Sequence, residues 1–212
     1  MMIKAEKENV NKALIFIPDI GGFTGFNHHT DIIIGKEILT ELLQSIIDSN
    51  FLNLKISEIE GDAILFYKYG KAPNIITILN QYENMLINFK TRLHEINLRY
   101  KSHLDLALKL IVDYGDVIEY NINGFRKIYG EVITEAHLLL KNSIKCKNYA
   151  LFTEKVLCVS KFIGNEQILP KWITRKEAYI KRKDMNDLHI LYYEFDIDHY
   201  NIGRLRDMSD YT

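Results

Sequence analysis

The sequence predicts an α+β fold: a ferredoxin-like core of mostly antiparallel sheet with helices packed on it. Three observations carry that prediction. Short apolar runs of strand length alternate with longer stretches whose apolar residues fall at helical spacing. Several of the short runs come in pairs joined by glycine-bearing turns, the signature of hairpins rather than of parallel crossovers. The 212 residues are 47% hydrophobic, enough to bury one sizeable core without disulfides or metal staples.

The elements follow in chain order. Ala13-Leu14-Ile15-Phe16-Ile17 is an apolar run that Pro18 ends, and it reads as a buried strand. Across residues 36–48, Ile38, Leu39, Leu42, Leu43, Ile46 and Ile47 line one helical face. Residues 52–68 read as a hairpin broken at Gly61-Asp62. Pro73 opens a long helix to about residue 97, with a core stripe of Ile75, Ile78, Leu79, Tyr82, Met85, Leu86, Phe89, Leu93 and Ile96. His103 to Val112 and Val117 to Tyr120 read as strands about a Tyr114-Gly115-Asp116 turn, with a second turn at Asn121-Ile122-Asn123-Gly124. Residues 131–142 read as a helix. Trp172 to Lys181 and Leu188 to Phe195 close the sheet as a strand pair, with the helices expected on one face. The boundaries expected are a lead over 1–12, one domain over 13–195, and a polar tail or extension over 196–212.

Composition excludes several classes. The net charge is −1, with both signs interleaved. A nucleic-acid partner would require a basic stripe, and a polybasic membrane anchor would require a basic cluster. No apolar run reaches the roughly 18 residues of a membrane span, and the N-terminus has no apolar signal region. A cytoplasmic protein with neither nucleic-acid nor membrane partner is expected. Cys146 and Cys158 read as reduced thiols.

Two motifs bear chemistry. In Ile17-Pro18-Asp19-Ile20-Gly21-Gly22-Phe23-Thr24, a carboxylate stands at the end of a buried strand and two glycines follow. A hard cation takes oxygen ligands such as Asp19 and the Ile20 carbonyl, and glycines let backbone N–H groups approach phosphate oxygens. In Glu58-Ile59-Glu60-Gly61-Asp62-Ala63, a second carboxylate stands in a hairpin turn. Alone, each is ordinary turn chemistry. Together they suit a metal site for in-line attack at phosphate.

It is the pair that resembles the class III nucleotidyl cyclase catalytic domain. Asp19-Ile20-Gly21-Gly22-Phe23-Thr24 is similar to that family's Asp-Ile-x-Gly-Phe-Thr signature. Gly61-Asp62, about forty residues on, is similar to its second metal aspartate. Tyr114-Gly115-Asp116-Val117 and Tyr129-Gly130-Glu131-Val132-Ile133-Thr134-Glu135-Ala136 follow in the right order, as weaker matches. The resemblance spans roughly residues 13–195. It implies Mg²⁺ or Mn²⁺ on Asp19, Ile20 and Asp62, a nucleoside triphosphate contacted at Phe23 and Thr24, and a homodimer with shared sites. The reaction implied is attack of the ribose 3′ hydroxyl on the α-phosphate, with pyrophosphate leaving.

The chain also departs from the family. Registered on Gly130 and Ala136, the family's asparagine falls on Thr134 and its arginine on Leu138. Lys141, one turn beyond, is the substitute cation in reach, though it lacks the planar fork of arginine. The base-reading positions fall on Glu58 and Lys127, where adenine-selective members carry lysine and aspartate. An acceptor and a donor so exchanged suit guanine or uracil better than adenine; a plain surface ion pair is the other reading. A triphosphate lysine is implied at Lys181 or Lys183. His28-His29 read as solvated loop residues. Two functions stay open: a cyclase, and a degenerate cyclase-homology module that binds nucleotide or a protein partner without turnover.

Overall fold

A computed structural model describes residues 9–160, 169–181 and 187–197. An interior strand, β1 (Asn11–Gly21), contains the apolar run of residues 13–17, but it does not stop at Pro18. The β1 ladder to β3 (Ala63–Tyr69) pairs Phe16 with Phe66 and next Asp19 with Ala63. It skips Ile17 and Pro18, so a residue with no N–H is tolerated mid-strand. Both faces of β1 are buried, which explains its unbroken hydrophobicity. Leu14, Phe16 and Ile20 join one core with α2 (Ile32–Asp48) and α3 (Ile75–Tyr100), while Ala13, Ile15 and Ile17 join another with Val132, Ala136 and Leu139 of α4 (Glu131–Leu139). Helices therefore cover both faces, not the one face expected.

The sheet runs β2-β3-β1-β4-β6-β8-β7, with β5 paired to β4 off that path. β2 (Lys55–Glu60) and β3 form the expected hairpin. All nine stripe residues of α3 are buried. That helix begins at an Asn74 cap whose side chain accepts from the Thr77 N–H at 2.8 Å, with Pro73 just outside it. β7 (Ile173–Ile180) and β8 (Leu188–Phe195) pair antiparallel as expected.

Residues 107–122 differ from expectation. β4 (Ala107–Ile122) is one strand, registered on β1 from Ala107 opposite Gly21 to Val117 opposite Asn11. Tyr114-Gly115-Asp116 is no turn. The true turn, Asn123-Gly124, leads into β5 (Phe125–Tyr129), which the pattern did not predict. Gly130 then sits where any Cβ would stand 2.2 Å from the Asp116 carbonyl oxygen, so glycine is needed for close approach. α4 stops at Leu139, three residues short of expectation. Also unpredicted were α1 (Phe23–His29), β6 (Tyr149–Thr153) and α5 (Glu154–Val159). β6 runs parallel to β4, in an otherwise antiparallel sheet. No helix among the described residues is long and apolar enough to cross a membrane.

Candidate functional site

Asp19 and Asp62 are brought together by β1 and the tip of the β2–β3 hairpin. Next to the Asp19–Ala63 pairing, the Ile20 N–H donates to the Asp62 carbonyl at 3.1 Å, which ties the tip to β1. Burial first, and then the charge of Asp62, pushes the Asp19 pKa up to about 6, against the pull of Lys109. Burial also raises Asp62, opposed by its own backbone hydrogen bond and by Lys109. Lys109 is the register partner of Asp19 on β4. Gly21 leaves room for it, since a Cβ there would lie 2.9 Å from Lys109 Cε.

Two half-buried carboxylates that stay destabilised despite a neighbouring lysine fit a hard divalent cation. Among the described residues no group of three or more His, Cys, Asp or Glu is placed to hold a metal. An all-protein cage is therefore not what these residues offer. Mg²⁺ commonly takes one or two carboxylates and completes its shell with phosphate oxygens and water.

Glu58 and Lys127, 69 residues apart, form an ion pair. A bulge creates it. The β2–β3 register shifts between Ile56 and Glu58, so Glu58 faces Leu65 instead of Ile64. Strand side chains alternate between faces, so this one-residue shift moves Glu58 and Glu60 to the Asp19 face of the sheet. The Ser57 hydroxyl at the bulge is buried without a partner.

The remaining predicted residues are spread out. Thr134 and Leu138 lie exposed on the outer side of α4. Lys141 is past the helix end, its N–H bonded to the Leu138 carbonyl at 3.2 Å, so it does not extend α4 by the turn expected beyond Leu138. Its exposed side chain is not held against Leu138 by helix geometry. His137 Nδ1 lies 3.9 Å from Glu60 Oε2. Phe23 is half-buried against Phe26 (5.7 Å between ring centroids), and Thr24 is exposed. Lys181 is exposed at the end of β7; Lys183 lies outside the described residues. His28 and His29 are exposed at the end of α1, and Cys146 and Cys158 are free thiols.

Sequence reasoning missed Lys109, although one signal was there. A lone cation interrupts Leu106-Ala107-Leu108-Lys109-Leu110-Ile111-Val112, a run otherwise apolar on both strand faces. It also missed Tyr149, the β6 register partner of Lys109. The Tyr149 hydroxyl accepts from Asn142 Nδ2 at 2.7 Å, and burial pushes its pKa up to about 12, with the Asp19 charge adding to the rise.

Comparison with known structures gives the fold. The adenylyl cyclase CyaB from P. aeruginosa matches with a TM-score of 0.67 at 14% identity, over 90% of this chain and 97% of that one. The guanylyl cyclase Cya2 matches at 0.68 and 12%, over 89% and 95%. The guanylate cyclase domain of RhGC from Catenaria anguillulae, solved with GTP, matches at 0.59 and 12%, over 88% and 98%. Among curated sequences, the uncharacterized protein Rv2561/Rv2562 of Mycobacterium tuberculosis is 24% identical over 125 residues, 56% of this chain. The match spans 58% of that relative's length. A family profile described as "Protein of unknown function (DUF2652)" covers residues 39–149, a stretch that includes Glu58, Asp62, Lys109, Lys127, Thr134 and Leu138. The chain is thus a member of the DUF2652 family, a family of unknown function, and it carries the fold of class III cyclase catalytic domains.

Proposed function

We propose that this protein is a cyclase-like domain that binds a nucleoside triphosphate with Mg²⁺ or Mn²⁺ at a homodimer interface and forms a 3′,5′-cyclic nucleotide slowly. One observation carries the reading: Asp19 and Asp62, neighbouring and charge-strained, stand on this fold with Lys109 beside them. The bound cation would polarise phosphate oxygens. Asp19, Asp62 and the Ile20 carbonyl would hold it, with Phe23 and Thr24 at the adjoining phosphates. Lys109 lies where its ammonium would meet phosphate charge. Lys181 and Lys183 remain candidates for the outer phosphates. The rest of each site would come from the second copy: Glu58 and Lys127 for the base, Thr134 for the ribose or phosphate.

The exposed apolar side chains support a second copy. Tyr120, Ile122, Phe125 and Tyr129 project from the β4–β5 ribbon, Phe125 at 72% exposure, and Leu138 is 65% exposed on α4. A monomer rarely leaves so many large apolar groups in water on neighbouring elements. Slow turnover follows from Leu138. It supplies no cation to a phosphate whose charge builds up, and losing one such donor costs about 10²–10³ in rate.

For the base, Glu58 would accept the ring N–H of guanine or uracil, and Lys127 would donate to the carbonyl. Adenine would leave a polar group unpaired, at about 1–3 kcal/mol. Calorimetric titration with the four nucleoside triphosphates and Mn²⁺, paired with a cyclic-product assay, tests all of this. GTP or UTP should bind about tenfold or more tighter than ATP, with slow cyclic product. Preferential ATP binding sinks the base assignment. Tight metal–nucleotide binding with no product on any nucleotide would instead favour the degenerate binding module.

A further inference from the structure

Beneath α4, on the face of the sheet that carries Asp19 but further along β4, lies a polar cluster with no part in the site above. Asp113 of β4 is fully buried. Its Oδ1 accepts from the Thr153 hydroxyl at 2.5 Å and from the Tyr114 N–H at 2.8 Å. Its Oδ2 has no partner. Glu135, on the inner side of α4, is also buried and is ion-paired to Lys155 of α5. Lys155 lines a surface cavity of about 580 Å³ with Glu131, Glu154 and Lys12, so the cluster's one ammonium also meets solvent. The groups that face Asp113 come from four elements. β1 presents the apolar Ile15, β6 the hydroxyl of Thr153, α5 the ammonium of Lys155, and α4 the carboxylate of Glu135, with Glu131 acting on Lys155.

Asp113 and Glu135 thus draw on the same lysine, which is bonded to Glu135. A buried carboxylate oxygen with no donor is satisfied most simply by a proton, and a second negative charge under α4 would repel the first. We propose that Asp113, Lys155 and Glu135 form a proton-dependent clamp that sets how firmly α4 is seated on the sheet. With Asp113 protonated, Lys155 serves Glu135 alone and α4 is held. When Asp113 releases its proton to solvent, two carboxylates share one ammonium and the seat of α4 loosens. Burial, the largest cause, holds the Asp113 pKa up at about 6. The acid is therefore stronger in the unfolded chain, and the stabilisation present at low pH is lost as pH rises toward about 6. The consequence for Thr134 and Leu138, which ride on α4, rests on the nucleotide-site reading; the clamp itself does not.

Hydrogen exchange on the full chain tests the clamp without nucleotide or metal. Protection of the α4 amides, corrected for intrinsic exchange and referenced to β1 amides in the same sample, is followed from pH 5 to pH 7.5. It should fall about tenfold or more in the parent and stay flat in Asp113→Asn, which keeps an oxygen for Thr153. Lys155→Met, at a partly exposed position, removes the shared cation and should move the midpoint to higher pH. A parent profile without the fall overturns the clamp, as does the same fall in Asp113→Asn. Equal loosening of α4 and β1 would mark only a globally unfavourable buried acid and would also overturn it. Should Asp113→Asn not fold, an unmoved midpoint in Lys155→Met overturns the clamp by itself.

Discussion

Asp19→Asn should make the metal-free protein more stable while removing its response to metal. The Asp19 carboxyl titrates near 6 in the folded chain against an ordinary 3.8. The folded state holds this proton more tightly than the unfolded state does, so ionisation costs stability. The cost is absent below about pH 4, grows as pH rises to about 6, and is constant above that. Two pKa units correspond to about 3 kcal/mol at 1.36 kcal/mol each. The group is only partly buried, so screening brings the figure to about 1–2 kcal/mol. An asparagine of the same shape removes that cost. For a domain of this size the melting temperature at pH 7 should rise by about 2–8 °C in chelator, and by little at pH 4. Added Mn²⁺ should reverse the ranking, since a cation at a hundred times its dissociation constant stabilises the parent by about 2.7 kcal/mol. Thermal melts of the two proteins in chelator and in Mn²⁺, at pH 7 and pH 4, measure all four quantities. An Asp19→Asn variant less stable than the parent in chelator at pH 7 would show that Lys109 already satisfies the carboxylate. An undiminished Mn²⁺ response would show that the metal binds elsewhere.

Three other outcomes are expected. Leu138→Arg should raise cyclic-product formation by up to about 10²–10³ if Leu138 stands at the arginine position; an unchanged rate in a chromatographic product assay argues that it does not. Phe125→Asp, at an exposed position on the β4–β5 ribbon, should weaken self-association about tenfold or more without altering the melt of the dilute protein; sedimentation velocity reads the first and calorimetry the second. Gly130→Ala forces a Cβ against the Asp116 carbonyl and should cost about 2–3 kcal/mol by denaturant titration; a cost near zero would mean that the β5–α4 junction yields.

The sequence by itself determined what depends on neighbouring residues and periodicity. The stripe of α3, the β2–β3 hairpin and the β7–β8 pair were legible because burial of one face imposes a period on the chain. Asp19 and Asp62 were legible as a candidate pair because of their order and spacing, since either one alone is ordinary turn chemistry. The tertiary structure decided whatever depends on distant partners. Gly115 looks like a turn residue in a string of letters, yet it lies within β4, paired with Ala13, and is glycine because a Cβ there would stand 3.0 Å from Val132 Cβ. Pro18 looks like a strand end, yet β1 continues because its neighbour's ladder skips that position. The bulge at Ser57 turns Glu58 toward Lys127, and no local signal announces a bulge. Lys109 sits inside an apolar run and Asp113 at its end, and only the pairing of β4 with β1 and β6 shows that one stands beside Asp19 and the other beneath α4. Local propensity sets the elements. Partners far along the chain set the register, and the register decides which charges meet.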